Sequence, residues 1–263
     1  MESLLAGTPG YQMVSLPEWL ELASIVVGSM SGLLVARERK LDLVGYLGLA
    51  LLCGLGGGLI RDMTMQRGGV YMIDSPFAIG ASLATAIVVF LFPRAFERFP
   101  RLLEWVDIIA VGLFAVMGTD KAVVYGLNPL VAVLMGTMTG IGGGMLRDVF
   151  LGEVPRIFQR SNFYAICAVA GAAAYWAFVK VVPIDKGVAA FLGVAVTVVL
   201  RRLSLHFDMM SPADIDLTPQ VVRPIRAVRR HSAHDMIAAE HGEITPELIE
   251  AVRRVIEESR SDS

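Results

Sequence analysis

The sequence predicts an all-α membrane protein with seven transmembrane helices, arranged as two inverted three-helix repeats plus one further span. Three observations carry this reading. Of 263 residues, 55% are hydrophobic and only 18% charged, with a mean hydropathy of +0.61, against about 25% charged in an average soluble domain. Ionisable residues are sparse between Leu16 and Leu205 and crowded behind that stretch. A glycine-rich string ending in Arg-Asp occurs twice, and other residues match at the same offset.

Taken in order, residues 1–16 are read as an extracytoplasmic segment. Met1 to Pro17 lacks the basic start and cleavage pattern of a signal peptide, so the first apolar stretch is expected to remain as a span. A helix needs about 20 apolar residues to cross the hydrocarbon core. Windows of that kind lie at 17–36, 43–62, 76–93, 105–123, 128–150, 162–182 and 187–205. Charged or proline-containing connectors separate them, among them Arg37-Glu38-Arg39-Lys40, Pro93 to Glu104, Asn128-Pro129 and Pro183 to Lys186. The resulting divisions are a first repeat at 17–93, a cytoplasmic connector at 94–104, a second repeat at 105–182 and a seventh span at 183–206.

Residues 207–263 read as a cytoplasmic tail. Ser211-Pro212, Thr218-Pro219 and Arg223-Pro224 suggest an extended linker. Thr245-Pro246-Glu247 looks like the start of a short helix continuing through Leu248, Ile249, Val252, Val255 and Ile256. His231, His234 and His241 have no accompanying cysteine and are not read as a metal site; no cofactor is expected. Cys53 and Cys167 each lie inside an apolar run and read as buried thiols. The net charge of -2 and the lack of a base-reading motif set nucleic acid aside.

Orientation follows from basic residues. With the N-terminus outside, the inner connectors hold Arg37, Arg39, Lys40, Arg94, Arg98, Arg101, Arg156, Arg160, Arg201 and Arg202, and the outer ones Arg67, Lys121, Lys180 and Lys186. That bias satisfies the positive-inside rule and puts the C-terminus in the cytoplasm, in a multi-pass protein of the inner (plasma) membrane.

The duplicated string runs Gly54-Leu55-Gly56-Gly57-Gly58-Leu59-Ile60-Arg61-Asp62 and again Gly140-Ile141-Gly142-Gly143-Gly144-Met145-Leu146-Arg147-Asp148, an offset of 86 residues. The same offset pairs Gly32 with Gly118, Ala36 with Ala122, Asp42 with Asn128, Phe77 with Phe163 and Ala84 with Ala170. Three spans per repeat is an odd number, so the second copy enters from the opposite side. In such proteins the functional path commonly lies near the midplane between the halves.

Gly56, Gly57, Gly58, Gly142, Gly143 and Gly144 weaken helix propensity by about 1 kcal/mol each relative to alanine, so a kink is expected there; close helix packing is the other reading. Adjacent helical residues point about 100° apart, so Arg61 and Asp62, and Arg147 and Asp148, are each expected to find a partner elsewhere, either structural or in a pore lining. Asp107 reads as interfacial or pore-facing. Lys121 reads as snorkelling outward or as projecting into an aqueous vestibule, where its field would tune ion passage.

At these residues the chain resembles the bacterial branch of the TRIC family, the trimeric intracellular cation channels, also catalogued as a glycine transporter domain. The resemblance covers about residues 20–205 and rests on Ser31-Gly32, Ala36-Arg37, Asp42, Asp107, Gly112, Lys121-Ala122 and both Gly-Gly-Gly-x-x-Arg-Asp strings. Leu151-Gly152-Glu153-Val154-Pro155 continues the second copy in the family pattern, whereas Met65-Gln66-Arg67-Gly68-Gly69-Val70 departs from it. The resemblance implies a homotrimer in the lipid bilayer, each subunit with its own pore for monovalent cations, potassium or sodium. Lys121, Arg61, Asp62, Arg147, Asp148, Asp107 and Arg37 are the candidate pore or gating residues. A secondary carrier of a small metabolite such as glycine is the rival within transport. An enzyme is not expected, because spans one to six hold no histidine and no recognised acid-base set.

Overall fold

The computed structural model describes residues 16–96, 101–159 and 163–207. The chain divides into two compact units, Met1–Ala213 and Asp214–Ser263. The tail helix, the three histidines, Arg98 and Arg160 lie outside the described residues.

Among the described residues the first unit has eight α-helices: α1 (Glu18–Glu38), α2 (Leu43–Met65), α3 (Tyr71–Asp74), α4 (Ala78–Leu91), α5 (Leu102–Val124), α6 (Pro129–Phe150), α7 (Tyr164–Lys180) and α8 (Lys186–His206). Side chains fix where several begin. Asp42 accepts from Gly45 N at 2.8 Å ahead of α2, Asn128 from Val131 N at 2.9 Å ahead of α6, and Asp185 from Gly187 N at 2.8 Å ahead of α8. Each satisfies a backbone donor that the first helical turn leaves open.

Five helices, α1, α2, α5, α6 and α8, are long and apolar enough to cross a membrane. The windows at 76–93 and 162–182 condense to shorter apolar helices of 14 and 17 residues. At 1.5 Å per residue these rise about 21 and 26 Å, less than a hydrocarbon core of about 30 Å. Pro76 and Pro93 bound α4, and α7 starts at Phe163, held at φ 31°, and ends ahead of Pro183. The single turn α3 lies ahead of the 76–93 window.

The helices pack α1 on α2, α5 on α6, α2 on α6, and α8 against α5 and α7. Leu33, Ala36, Tyr46, Leu49, Ala50, Ala86 and Val89 bury one seam, and Val116, Met117, Tyr175, Ala189 and Ala190 another.

The contacts repeat at the sequence offset. A methyl group on Gly32 would meet Leu49 O at 2.6 Å, and one on Gly118 would meet Met135 O at 2.8 Å. On Gly54 it would meet Ile25 O at 3.0 Å, and on Gly140 Val111 O at 2.9 Å. At the α2–α6 crossing the relation becomes reciprocal: a methyl on Gly57 would meet Thr139 O at 2.3 Å, and one on Gly143 would meet Cys53 O at 2.6 Å. Residue i meeting j while the equivalent of i meets the equivalent of j is what a two-fold relation produces. The helix ends match as well. Lys40 and Gly126, and Gln66 and Gly152, occupy left-handed conformations at equivalent C-terminal positions.

Candidate functional site

Each half builds one buried ion-pair group from its own first and second long helices. In the first, Arg61 is 2% exposed and donates from Nε to Asp62 Oδ1 at 2.6 Å and from a terminal nitrogen to Glu21 Oε1 at 3.1 Å. In the second, Arg147 is 1% exposed and donates from Nε to Asp148 Oδ1 at 2.9 Å, with Asp107 Oδ1 at 3.5 Å. Glu21 and Asp107 stand 86 positions apart, as do the Arg-Asp pairs.

This corrects one expectation. Arg61 and Asp62 do pair with each other, and so do Arg147 and Asp148. The Cα–Cβ directions diverge around the helix, but the long arginine side chain swings back across that angle to reach its neighbour. The third glycine of each string lies beside that arginine without being needed for its clearance. A methyl on Gly58 would meet nothing nearer than Arg61 Nη2 at 3.9 Å, and one on Gly144 would stand 3.7 Å from Arg147 Nη2. The expected outside partners exist too, as Glu21 and Asp107.

The surroundings of the two groups differ. Asp62 takes a second cation, Lys121 Nζ at 2.7 Å, and its Oδ2 accepts from Tyr71 N at 2.9 Å. Lys121 also donates to Gly69 O at 3.3 Å. Asp107 instead accepts from Ser31 Oγ at 2.8 Å and Tyr164 Oη at 3.1 Å, and Asp148 Oδ2 accepts from Arg156 N at 3.1 Å. Asp107 is thus buried and bonded across helices. Arg37 sits half-buried in the last turn of α1.

Beside the first group opens a vestibule of about 500 Å³, walled by Glu18, Glu21, Arg61, Asp120, Lys121 and Tyr125 among others. Lys121 points into this space as well as to Asp62. Glu21, Arg61, Tyr71 and Met117 also line a pocket of about 20 Å³ that continues toward Gly54 and Gly58, room for about one water. Burial raises the Tyr71 phenol above its ordinary value and keeps it a neutral hydroxyl.

Helices α2 and α6 run unbroken through the triple glycines. Gly57 and Gly143 serve the crossing, Gly56 and Gly142 lie against Leu146 and Ile60, and Gly58 and Gly144 lie beside the arginines. Sequence reasoning missed Glu21, although the offset from Asp107 points to it, and it missed Asp120 and Tyr164, which carry no motif of their own.

Comparison with known proteins matches this architecture. The family model described as Glycine transporter matches twice, at residues 18–94 and 104–180. The UPF0126 inner membrane protein YadS of Escherichia coli is 31% identical over 198 residues, covering 74% of this chain and 94% of YadS. A UPF0126 membrane protein of Deinococcus radiodurans is 37% identical over 160 residues, 60% of this chain and 74% of that protein. Among solved structures, a TRIC cation channel superposes with a TM-score of 0.66 at 27% identity, covering 77% of this chain and 98% of that one. The TRIC trimeric intracellular cation channel orthologue from Rhodobacter sphaeroides superposes with a TM-score of 0.65 at 32% identity, covering 73% and 98%. This all-helical, multi-pass membrane protein with the TRIC channel fold belongs to the glycine transporter family, the bacterial TRIC family.

Proposed function

We propose that this chain is a cation channel that passes monovalent cations, potassium foremost, through a pore within each subunit of a homotrimer. The observation that carries the reading is the pair of buried carboxylate-arginine-aspartate groups flanking the α2–α6 crossing, in a fold shared with solved TRIC cation channels. Charged groups that deep in a membrane protein face protein or water.

The charges suit a cation path. In the first group Arg61 and Lys121 are formally balanced by Glu21 and Asp62, and Glu18 adds a negative charge to the vestibule wall. In the second group Asp107 and Asp148 outweigh Arg147 by one. A cation entering the vestibule therefore meets compensated positive charge, with polar oxygens available to replace part of its hydration.

On the same reading the membrane topology is seven spans, with α4 and α7 as the short ones. The N-terminus lies outside, and residues 17–93 and 105–182 form inverted repeats joined through 94–104 and followed by a seventh span at 183–206. The reciprocal glycine contacts and the doubled family match support the inversion. Helix bending at the two glycine strings is assigned to opening, with Lys121, Arg61 and Asp62 at one mouth and Asp107, Arg147 and Asp148 at the other.

The test is a planar-bilayer recording of purified protein in potassium chloride. Resolved unitary steps with a cation reversal potential are expected. Silent bilayers, combined with saturable and ion-coupled uptake of glycine into proteoliposomes, would replace the channel with a carrier.

A further inference from the structure

Asp120 belongs to the vestibule wall, yet its carboxylate is held from behind. Its Oδ1 accepts from Tyr175 Oη at 2.7 Å and pairs with Lys186 Nζ at 2.9 Å, and its Oδ2 accepts from Leu16 N at 2.9 Å. Lys186 is the first residue of α8, a helix beyond both family-matched segments that contributes no residue to the vestibule wall. From there it delivers a positive charge to an acid whose immediate neighbour in sequence, Lys121, lies on the cavity side.

We propose that Lys186 is the charge-setting residue of the vestibule: from outside the wall it offsets the Asp120 carboxylate and so fixes how strongly the vestibule attracts cations. With Asp62, the partner of both cations, the wall's Glu18, Glu21 and Asp120 outnumber Arg61 and Lys121 by two, and Lys186 offsets one of those charges from behind. Removing Lys186 uncovers that charge. Tyr175 and the Leu16 amide hold the Asp120 carboxylate in place. The consequence for conduction rests on the channel reading: Lys186→Gln raises cation conductance at low ionic strength, and the gain fades as salt screens it.

The local potential is measurable without any current. Val124 lines the vestibule one helical turn beyond Asp120, and the natural thiols Cys53 and Cys167 are both buried. A Val124→Cys protein is reacted with methanethiosulfonates bearing either a trimethylammonium or a sulfonate group, and the ratio of the two rates reports the vestibule potential. A unit charge several ångströms away in water changes a local ion concentration about two- to threefold, in opposite directions for the two reagents. Lys186→Gln should therefore raise the cationic-to-anionic ratio about fivefold at low salt, and about 1 M salt should erase the rise.

Lys186→Arg and Tyr175→Phe, which keep the charge, should leave the ratio where it was. Asp120→Asn should lower it, and the double variant should return it toward the starting value. An unchanged ratio in Lys186→Gln, or a rise that persists in high salt, overturns the proposal. A shifted ratio in a protein that carries no current would overturn the channel reading and leave Lys186 as the charge-setting residue.

Discussion

Replacing Gly57 with alanine isolates what the glycine string does. The added methyl would sit 2.3 Å from Thr139 O, 3.3 Å from the carbon that bears it and 3.4 Å from Gly143 N. All three are backbone atoms of a facing helix, so no side chain can swing clear. Restoring an ordinary carbon–oxygen contact requires α2 and α6 to separate by about 1 Å, and overpacking of that kind costs about 1–3 kcal/mol. Better helix propensity returns at most about 1 kcal/mol.

Gly58→Ala is the internal control, since its methyl would meet only Arg61 Nη2, at an ordinary 3.9 Å. Propensity then decides the sign, and the variant should be unchanged or stabilised by up to about 1 kcal/mol. The assay is denaturant unfolding of the purified protein in micelles, followed by its three tryptophans. Gly57→Ala should shift the midpoint down and Gly58→Ala should leave it or move it up. Equal losses at both positions would refute the packing argument and assign the string to bending. No loss at Gly57 would remove the close crossing altogether.

Asp107→Asn should destabilise the protein by about 3–5 kcal/mol, the usual cost of removing one partner from a buried ion pair, seen as a lowered unfolding midpoint. Arg147→Gln in the same background should lower it further, because Asp148 then loses its buried partner. Lys121→Ala should change unitary conductance or gating more than Lys180→Ala, because Lys121 bridges Asp62 and the vestibule whereas Lys180 ends α7; equal recordings would count against the site. Truncation after Phe207 should leave conductance largely intact, and loss of current on truncation would give the tail an essential part.

Periodicity and composition make the long helices legible, because a membrane span is written as an uninterrupted apolar run of about the right length. They are less exact at α4, where Pro76 and Pro93 stand at the edges of the apolar run and the helix between them has only 14 residues. The offset of 86 residues makes the two Arg-Asp pairs legible, but not their partners. Glu21 lies at the polar start of α1, where an acidic residue is ordinary first-turn furniture, and only the chain's folding brings it to Arg61 at 3.1 Å. Asp120 is obscured differently, since a carboxylate next to Lys121 reads as that lysine's companion. The structure turns it toward Tyr175 and Lys186, on helices more than fifty positions away.

The equivalence of the halves ends at their charges. Both use the same offset for glycine contacts, helix-ending conformations and carboxylate-arginine-aspartate groups, so the backbone scaffold is nearly two-fold. Lys121 has Val35 as its counterpart, and the half that lacks a lysine there instead supplies Ser31 to Asp107. A second cation therefore reaches Asp62, while neutral hydroxyls serve Asp107. A strictly two-fold pore would present the same electrostatic profile to an ion entering from either end. Here the two ion-pair groups offer different charges on matching backbones: Lys121 breaks the match within the repeats, and Lys186 adds a charge from beyond them. Duplication can account for the frame, but direction across the membrane has to come from substitutions such as these.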